Sequence, residues 1–263
     1  MKKRVLGLAI ALGLLAGVCT GCSNTAKEDA TTPTTEGTKL TENVDWKSLY
    51  TDFIVTNKDV QYPNINYIGL NDLNFDGIPE LILSDSAASA AATVGVFQIQ
   101  DGEVKLLYGY SSMDSEHYMT ETDPVFYSNF HNNWLTLRKN VNTGELRYFL
   151  ISSNGSSSES FGDTFSFPVN ENNQIGLVSE FGYVILYDDE TYEMTDEFYS
   201  VLGEQVTSDK YLQTQAEIES SWEDTGVRTP AMTNGHYEYS HSVELSLEKE
   251  DLENFFDLYE KEY

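Results

Sequence analysis

The chain has 263 residues, enough after its leading segments for one domain with a substantial core or two small ones. It carries 43 acidic against 15 basic residues, a formal net charge of −28, and so excludes nucleic acid and anionic lipid heads as electrostatic partners. Aromatic residues reach 13%, with 17 Tyr, a content that acidic disordered chains lack, so the chain folds.

Lys2, Lys3 and Arg4 form a basic start, and Val5 to Val18 is an apolar run too short to span a membrane. A small-residue stretch with two cysteines follows: Ala16-Gly17-Val18-Cys19-Thr20-Gly21-Cys22-Ser23-Asn24. This order resembles a bacterial lipoprotein signal, in which the Cys after the cut takes the lipid. The resemblance implies a signal peptide over 1–22, lipidation at Cys22, and display on the outer face of the cytoplasmic membrane. Cys19 is the alternative lipid site, and it also stands at −3 to Cys22, where an aliphatic residue is usual. An ordinary secretory signal is the other alternative, although no clear A-x-A site follows.

Both cysteines lie in this leader. The mature domain therefore has no disulfide, no thiolate metal site and no cysteine nucleophile. A bound metal is the common substitute staple in such secreted domains. Residues 23–43 are rich in Thr, Glu and Gly with almost no apolar residue, and read as a flexible tether to a folded domain over 44–263.

The domain begins with a helix, because Trp46, Leu49, Tyr50 and Phe53 recur at i, i+3, i+4 and i+7. Two short strands then flank the run Asp72-Leu73-Asn74-Phe75-Asp76-Gly77-Ile78-Pro79-Glu80. Oxygen-bearing side chains at its positions 1, 3, 5 and 9, with Gly at 6, suit a hard cation. Asp72, Asn74, Asp76, the Ile78 carbonyl and Glu80 are the expected ligands of Ca²⁺. Gly77 permits the positive φ that the curl needs. Leu73, Phe75 and Ile78 are expected to point into a core. An acidic turn without metal is the alternative.

The run is no EF-hand, since position 12 is Leu83 and the flanks are not helices. The missing acid at position 12 also argues against a dockerin loop. Strand, D-x-N-x-D-G-x-x-E, strand is similar to the calcium loop of FG-GAP repeats in integrin-type β-propellers. The similarity covers Tyr67 to Ser84 and occurs once, whereas a propeller needs several blades. It implies a metal-bearing β-hairpin, and a propeller-like arrangement is the further option it opens.

Val94 to Ile99 and Val104 to Tyr108 flank Asp101-Gly102, a strong hairpin signal. Trp134 to Arg138 and Leu146 to Ile151 flank Asn142-Thr143-Gly144, a second hairpin. Ser152 to Ser160 reads as a mobile loop. Phe161 to Val169, Gly182 to Tyr187 and Tyr192 to Tyr199 read as further strands. Ser208 is expected to cap a helix with Tyr211, Gln215, Ile218 and Trp222 on one face. Glu223 to Ser242 reads as irregular. Ser246 is expected to cap a last helix with Leu252, Phe255, Phe256 and Tyr259 on one face. The expected fold is mainly β (α+β): an antiparallel meander of hairpins with one N-terminal and two C-terminal helices. The order of hairpins, Gly203-Glu204-Gln205-Val206-Thr207-Ser208 and helix also resembles uncharacterised secreted lipoproteins of Gram-positive gut bacteria, which brings no chemistry with it.

No G-x-S-x-G elbow, H-E-x-x-H or Gly-rich phosphate loop is present. His117, His131, His236 and His241 read as surface residues. Trp46, Trp134 and Trp222 sit in apolar patterns and read as core. The chain is therefore expected to be a monomeric, non-catalytic, calcium-stabilised surface lipoprotein that binds a protein or glycan. The alternatives are a solute-binding lipoprotein, whose two α/β lobes the hairpins argue against, and an extracellular hydrolase of unrecognised type.

Overall fold

The structure is a computed structural model that describes residues 44–58, 64–85, 92–109, 126–128, 134–233 and 242–262. The leader, the tether, both cysteines and the four histidines lie outside these residues. Among the described residues there are three helices and fourteen strands.

Helix α1 (Trp46–Asn57) starts at Asp45, whose side chain accepts the Ser48 N–H at 3.1 Å. The first sheet holds β1 (Ile65–Asn71), β2 (Glu80–Asp85), β3 (Ala92–Gln100), β4 (Glu103–Gly109) and the short β5 (Phe126–Ser128). The second holds β6 (Leu135–Asn140), β7 (Leu146–Gly155), β8 (Glu159–Phe167), β9 (Val178–Tyr187), β10 (Met194–Val201) and β11 (Glu204–Val206) as a consecutive antiparallel meander. Helix α2 (Ser208–Ser221) leads into β12 (Trp222–Asp224), which pairs with β6. Strands β13 (Ala231–Thr233) and β14 (Ser242–Glu244) return to the first sheet, and α3 (Lys249–Glu262) follows.

The first sheet runs β14-β13-β1-β2-β3-β4, with β5 also paired to β3. All its pairings are antiparallel except β13 with β14. Period-two alternation assigns its side chains to two cores. Ile68, Leu70, Leu81, Leu83 and Phe97 face α1 and α3, whose Tyr50, Ile54, Leu252 and Phe256 are fully buried against them. Tyr67, Ile82, Val94 and Val96 face the second sheet, meeting Trp134, Leu150, Phe165 and Phe167. Tyr67 packs edge-on to Trp134 with centroids 5.4 Å apart. Each fully buried side chain of this size contributes about 1.5–3 kcal/mol. Because both faces of this sheet are covered, β1 is buried along its whole length and shows no polar alternation. Helix α2 lies on the outer face of the second sheet, where Tyr211 meets Phe181 and Tyr199 at 5.6 and 4.9 Å.

The mainly β, antiparallel architecture with one helix first and two late is as the patterning predicts. The propeller-like option is not met: among the described residues the strands form two open sheets, each covering the other, and no radial blades. Asp101 and Gly102 have φ of 56° and 78°, the two left-handed residues of a type I′ hairpin turn. Ser152 to Ser160 is no loop. Strands β7 and β8 run through it to a tight turn, where the Ser156 hydroxyl accepts the Ser158 and Glu159 N–H groups. Thr207, not Ser208, caps α2, accepting the Lys210 N–H at 3.3 Å. The stretch read as irregular supplies β13, whose three residues are buried beside β1.

Candidate metal centre

Asn71 and Glu80 pair across β1 and β2, and the chain between them curls back on itself. Phe75 has φ 62° and Gly77 has φ 90°, so the curl takes two left-handed residues. Nothing lies within 4 Å of a Cβ built on Gly77, so conformation alone makes this a glycine position.

The loop's own amides organise its acids. Asp72 accepts the Asp76 N–H at 3.0 Å on Oδ1 and the Gly77 N–H at 2.9 Å on Oδ2. Asn74 Oδ1 accepts the Asp76 N–H at 3.3 Å, and Asp76 Oδ1 accepts the Ile78 N–H at 2.8 Å. Glu80 Oε2 accepts the Leu73 N–H at 2.7 Å. These are the short side-chain-to-backbone bonds that Asp and Asn favour in turns.

Glu80 is only 4% exposed. Burial pushes its carboxyl well above the usual range, the Leu73 N–H opposes this, and the charges of Asp72 and Asp76 add to it. Burial likewise raises Asp72, against the Gly77 N–H, with Asp76 adding its charge. The helix layer closes over the loop. Tyr50 donates its hydroxyl to the Pro79 carbonyl at 2.8 Å. The buried Tyr259 phenol is raised by desolvation and also feels Asp72 and Glu80.

The donor set fits a hard cation in its chemistry: three carboxylates, one amide oxygen and a backbone carbonyl, all oxygen. Each carboxylate oxygen that takes one N–H keeps further acceptor capacity. The ligands are brought into one loop but not into one cluster. Among the described residues no group of three or more His, Cys, Asp or Glu side chains is gathered as metal ligands are. Asp72, Asp76 and Glu80 face separate amides instead. Leu73 is fully buried and Ile78 packs on the helix-side core, as expected. Phe75 is the exception, 46% exposed and stacked on Tyr148 at 6.0 Å. Its left-handed backbone turns it onto the surface of the second sheet.

The loop also has partners from elsewhere in the chain that carry no signal in the sequence. Asn173, between β8 and β9, accepts from Asn74 Nδ2 on its carbonyl and donates from Nδ2 to Asp76 Oδ2, both at 3.3 Å. Tyr50, Tyr148 and Tyr259 come from three further elements. No local pattern links these positions to the loop.

The lipidation site Cys22 and its alternative Cys19 lie outside the described residues, as do His117, His131, His236 and His241. Trp46 and Trp134 are buried, as read, while Trp222 is half-buried under the Arg147 guanidinium at 4.7 Å. No described helix is long and apolar enough to cross a membrane. No protein-family model, curated protein or solved structure matches this chain.

Proposed function

We infer that this chain is a lipid-anchored, extracytoplasmic surface protein whose domain is stabilised by Ca²⁺ and acts by binding, not by catalysis. The observation that carries the calcium reading is Glu80: a buried carboxylate at the root of a loop with two further acids. A cation is the partner that offsets such a burial. Asp72, Asn74, Asp76, the Ile78 carbonyl and Glu80 would hold it. The ion would offset two of the loop's three negative charges. The absence of nucleophile-elbow, zincin and phosphate-loop motifs in the sequence favours a binding role for a protein or glycan partner. The antiparallel sandwich favours it over the two lobes of solute-binding lipoproteins.

Thermal melts with chelator, calcium or magnesium test the metal. Calcium at tenfold its dissociation constant adds about 1.4 kcal/mol by linkage, which is a rise of about 3–6 °C for a domain of this size. Magnesium restores little, because it demands octahedral geometry and sheds water reluctantly. Asp76→Ala abolishes the calcium response. A wild-type melt identical in chelator and calcium removes the metal from the reading. Membrane fractionation with lipid labelling tests the anchor: Cys22→Ser releases the protein or leaves it unprocessed. Retained label in that variant, lost in Cys19→Ser, moves the anchor to Cys19.

A further inference from the structure

We propose that the cleft between the β3–β4 hairpin and the Pro168–Gly176 connection is a binding site for a neutral saccharide. The cleft is open to solvent and has a volume of about 560 Å³, within the range of small-ligand sites. Gln98 and Gln100 stand two apart on β3 and so share a face. Asn170, Asn173 and Gln174 form the opposite wall. None of the residues that line it is charged.

Five carboxamides in one uncharged cleft state the ligand class. A carboxamide carries two donors and an acceptor in one plane, the complement of neighbouring hydroxyls that both donate and accept. Asn170 and Gln174 use part of that capacity within the wall and Asn173 uses part on Asp76, while Gln98 and Gln100 use none on a described residue. Leu107 and Ile175 add apolar surface for the C–H face of a sugar ring. A cation would find no carboxylate here. An anion would find no counter-charge and would approach a chain of net charge −28. A peptide that adds a strand is held through main-chain pairing to an open strand edge. Here the β3 main chain pairs with β4 at Gln98 with Lys105 and Gln100 with Glu103, and side chains face the cleft.

The far wall is built in advance. Asn170 Oδ1 accepts the Asn172 and Gln174 N–H groups at 2.9 and 3.0 Å, and its Nδ2 donates to Gln174 Oε1 at 2.9 Å. Gly176 donates to the Pro168 carbonyl at 2.7 Å, and the Tyr108 hydroxyl donates to the Ile175 carbonyl at 2.9 Å. Such pre-ordering lowers the entropy lost on binding. Among the described residues, the Gln98 and Gln100 side-chain amides have no hydrogen-bond partner. Asn173 joins this wall to the Asp72–Glu80 loop through Asn74 and Asp76. Calcium in that loop therefore steadies one side of the cleft, a coupling that rests on the calcium reading, whereas the saccharide site itself does not.

The test is binding of the purified full chain to arrayed neutral oligosaccharides (glucans, mannans, galactans and N-acetylglucosamine oligomers), to sialylated and sulfated counterparts, and to a random peptide array. The expected result is capture by a neutral class and not by its anionic counterparts. The double variant Gln98→Ala/Gln100→Ala and the single variant Gln174→Ala should keep the wild-type melting temperature and weaken that binding on the order of tenfold. Chelation should weaken wild-type binding as well. Chelation that lowers the melting temperature and leaves sugar binding intact overturns the coupling alone. No effect of chelation on the melt, with sugar binding still lost in the glutamine variants, overturns the calcium reading alone. Silence across the neutral saccharides, binding indifferent to the glutamine variants, or capture by peptides in their place overturns the saccharide site.

Discussion

Glu80 accepts the N–H of Leu73 at 2.7 Å, so the residue that closes the β1–β2 loop is bonded to a residue near its opening. Leu73 is fully buried between the two sheets, and Glu80 is the first residue of β2. The bond thus ties the loop's acids to the sandwich core. Their charge state becomes a property of the whole domain.

Stability without calcium should fall as pH rises. Glu80 sits well above its ordinary value through burial, with the charges of Asp72 and Asp76 adding to the rise. A raised carboxyl contributes stability that is complete below its unfolded value, about 4.3, and is lost as pH climbs through the folded value. Calcium favours the ionised form and cancels this loss. The gap between melting temperatures in calcium and in chelator should therefore widen with pH, and Glu80→Gln should flatten the chelated curve. A constant gap from pH 4 to pH 8 would contradict the assignment.

Gly77→Ala should cost about 1–2 kcal/mol, the left-handed penalty of a residue with a Cβ. The space around Gly77 is open, so no clash adds to it. Gly77→Asn should cost less, because Asn tolerates that backbone region. Urea unfolding at fixed calcium measures both. Equal stability of Gly77→Ala and wild type would mean that the loop adopts another backbone.

Asp163 on β8 gives a second pH signal, independent of calcium. Burial pushes its carboxyl up to about 6. Its Oδ1 lies 1.9 Å from where a Cβ on Gly182 would stand, so the neighbouring strand leaves room for the carboxyl only because residue 182 has no side chain. By the same sign argument, wild type loses stability as pH rises through about 6. Asp163→Asn should remove that loss and be more stable than wild type at pH 8 by roughly 1–3 kcal/mol, in calcium and in chelator alike. Gly182→Ala should destabilise at every pH. An Asn variant with an unchanged pH profile would place the titration elsewhere.

Two phenylalanines separate core from surface. Phe256 is fully buried and packs on Trp46 at 5.7 Å, so Phe256→Ala should cost about 3–5 kcal/mol. Phe75 is exposed and makes one stacked contact, so Phe75→Ala should cost about 0.5–1.5 kcal/mol. Comparable losses in denaturant titration would mean that the loop is more deeply seated than its exposure states.

Elements whose signal is local were legible in the sequence. Leu252, Phe255, Phe256 and Tyr259 recur at helical spacing and are all buried on one side of α3. Asp101-Gly102 marks its hairpin because few other pairs accept two left-handed residues. The oxygens of the Asp72–Glu80 loop were legible for the same reason. What escaped is set by partners distant in the chain. Three residues, Ala231 to Thr233, carry no period, and pairing with β1 and β14 makes them a strand. The polar ends of β7 and β8 are strands because they pair with each other, not because their side chains ask for it. Asn173 reads as an ordinary turn residue until the fold sets it beside Asp76.

The late return of β13 and α3 to the first sheet gives the chain an order of assembly. Strand β1 keeps one open edge until Ala231 to Thr233 arrive, and α1 has no companion until α3 docks, with Lys47 reaching Asp257 and Glu260 at 2.5 and 2.7 Å. A growing chain that ends at Ser221 lacks Leu252, Phe255 and Phe256 from the core that holds Tyr50, Ile54 and Ile68, and it leaves an unpaired strand edge suited to pairing with another chain. Closure comes from residues 231–262 and requires contacts across about 160 to 210 residues, which makes for slow folding. Loss of a few dozen residues from the end would therefore remove not an appendage but one of the walls.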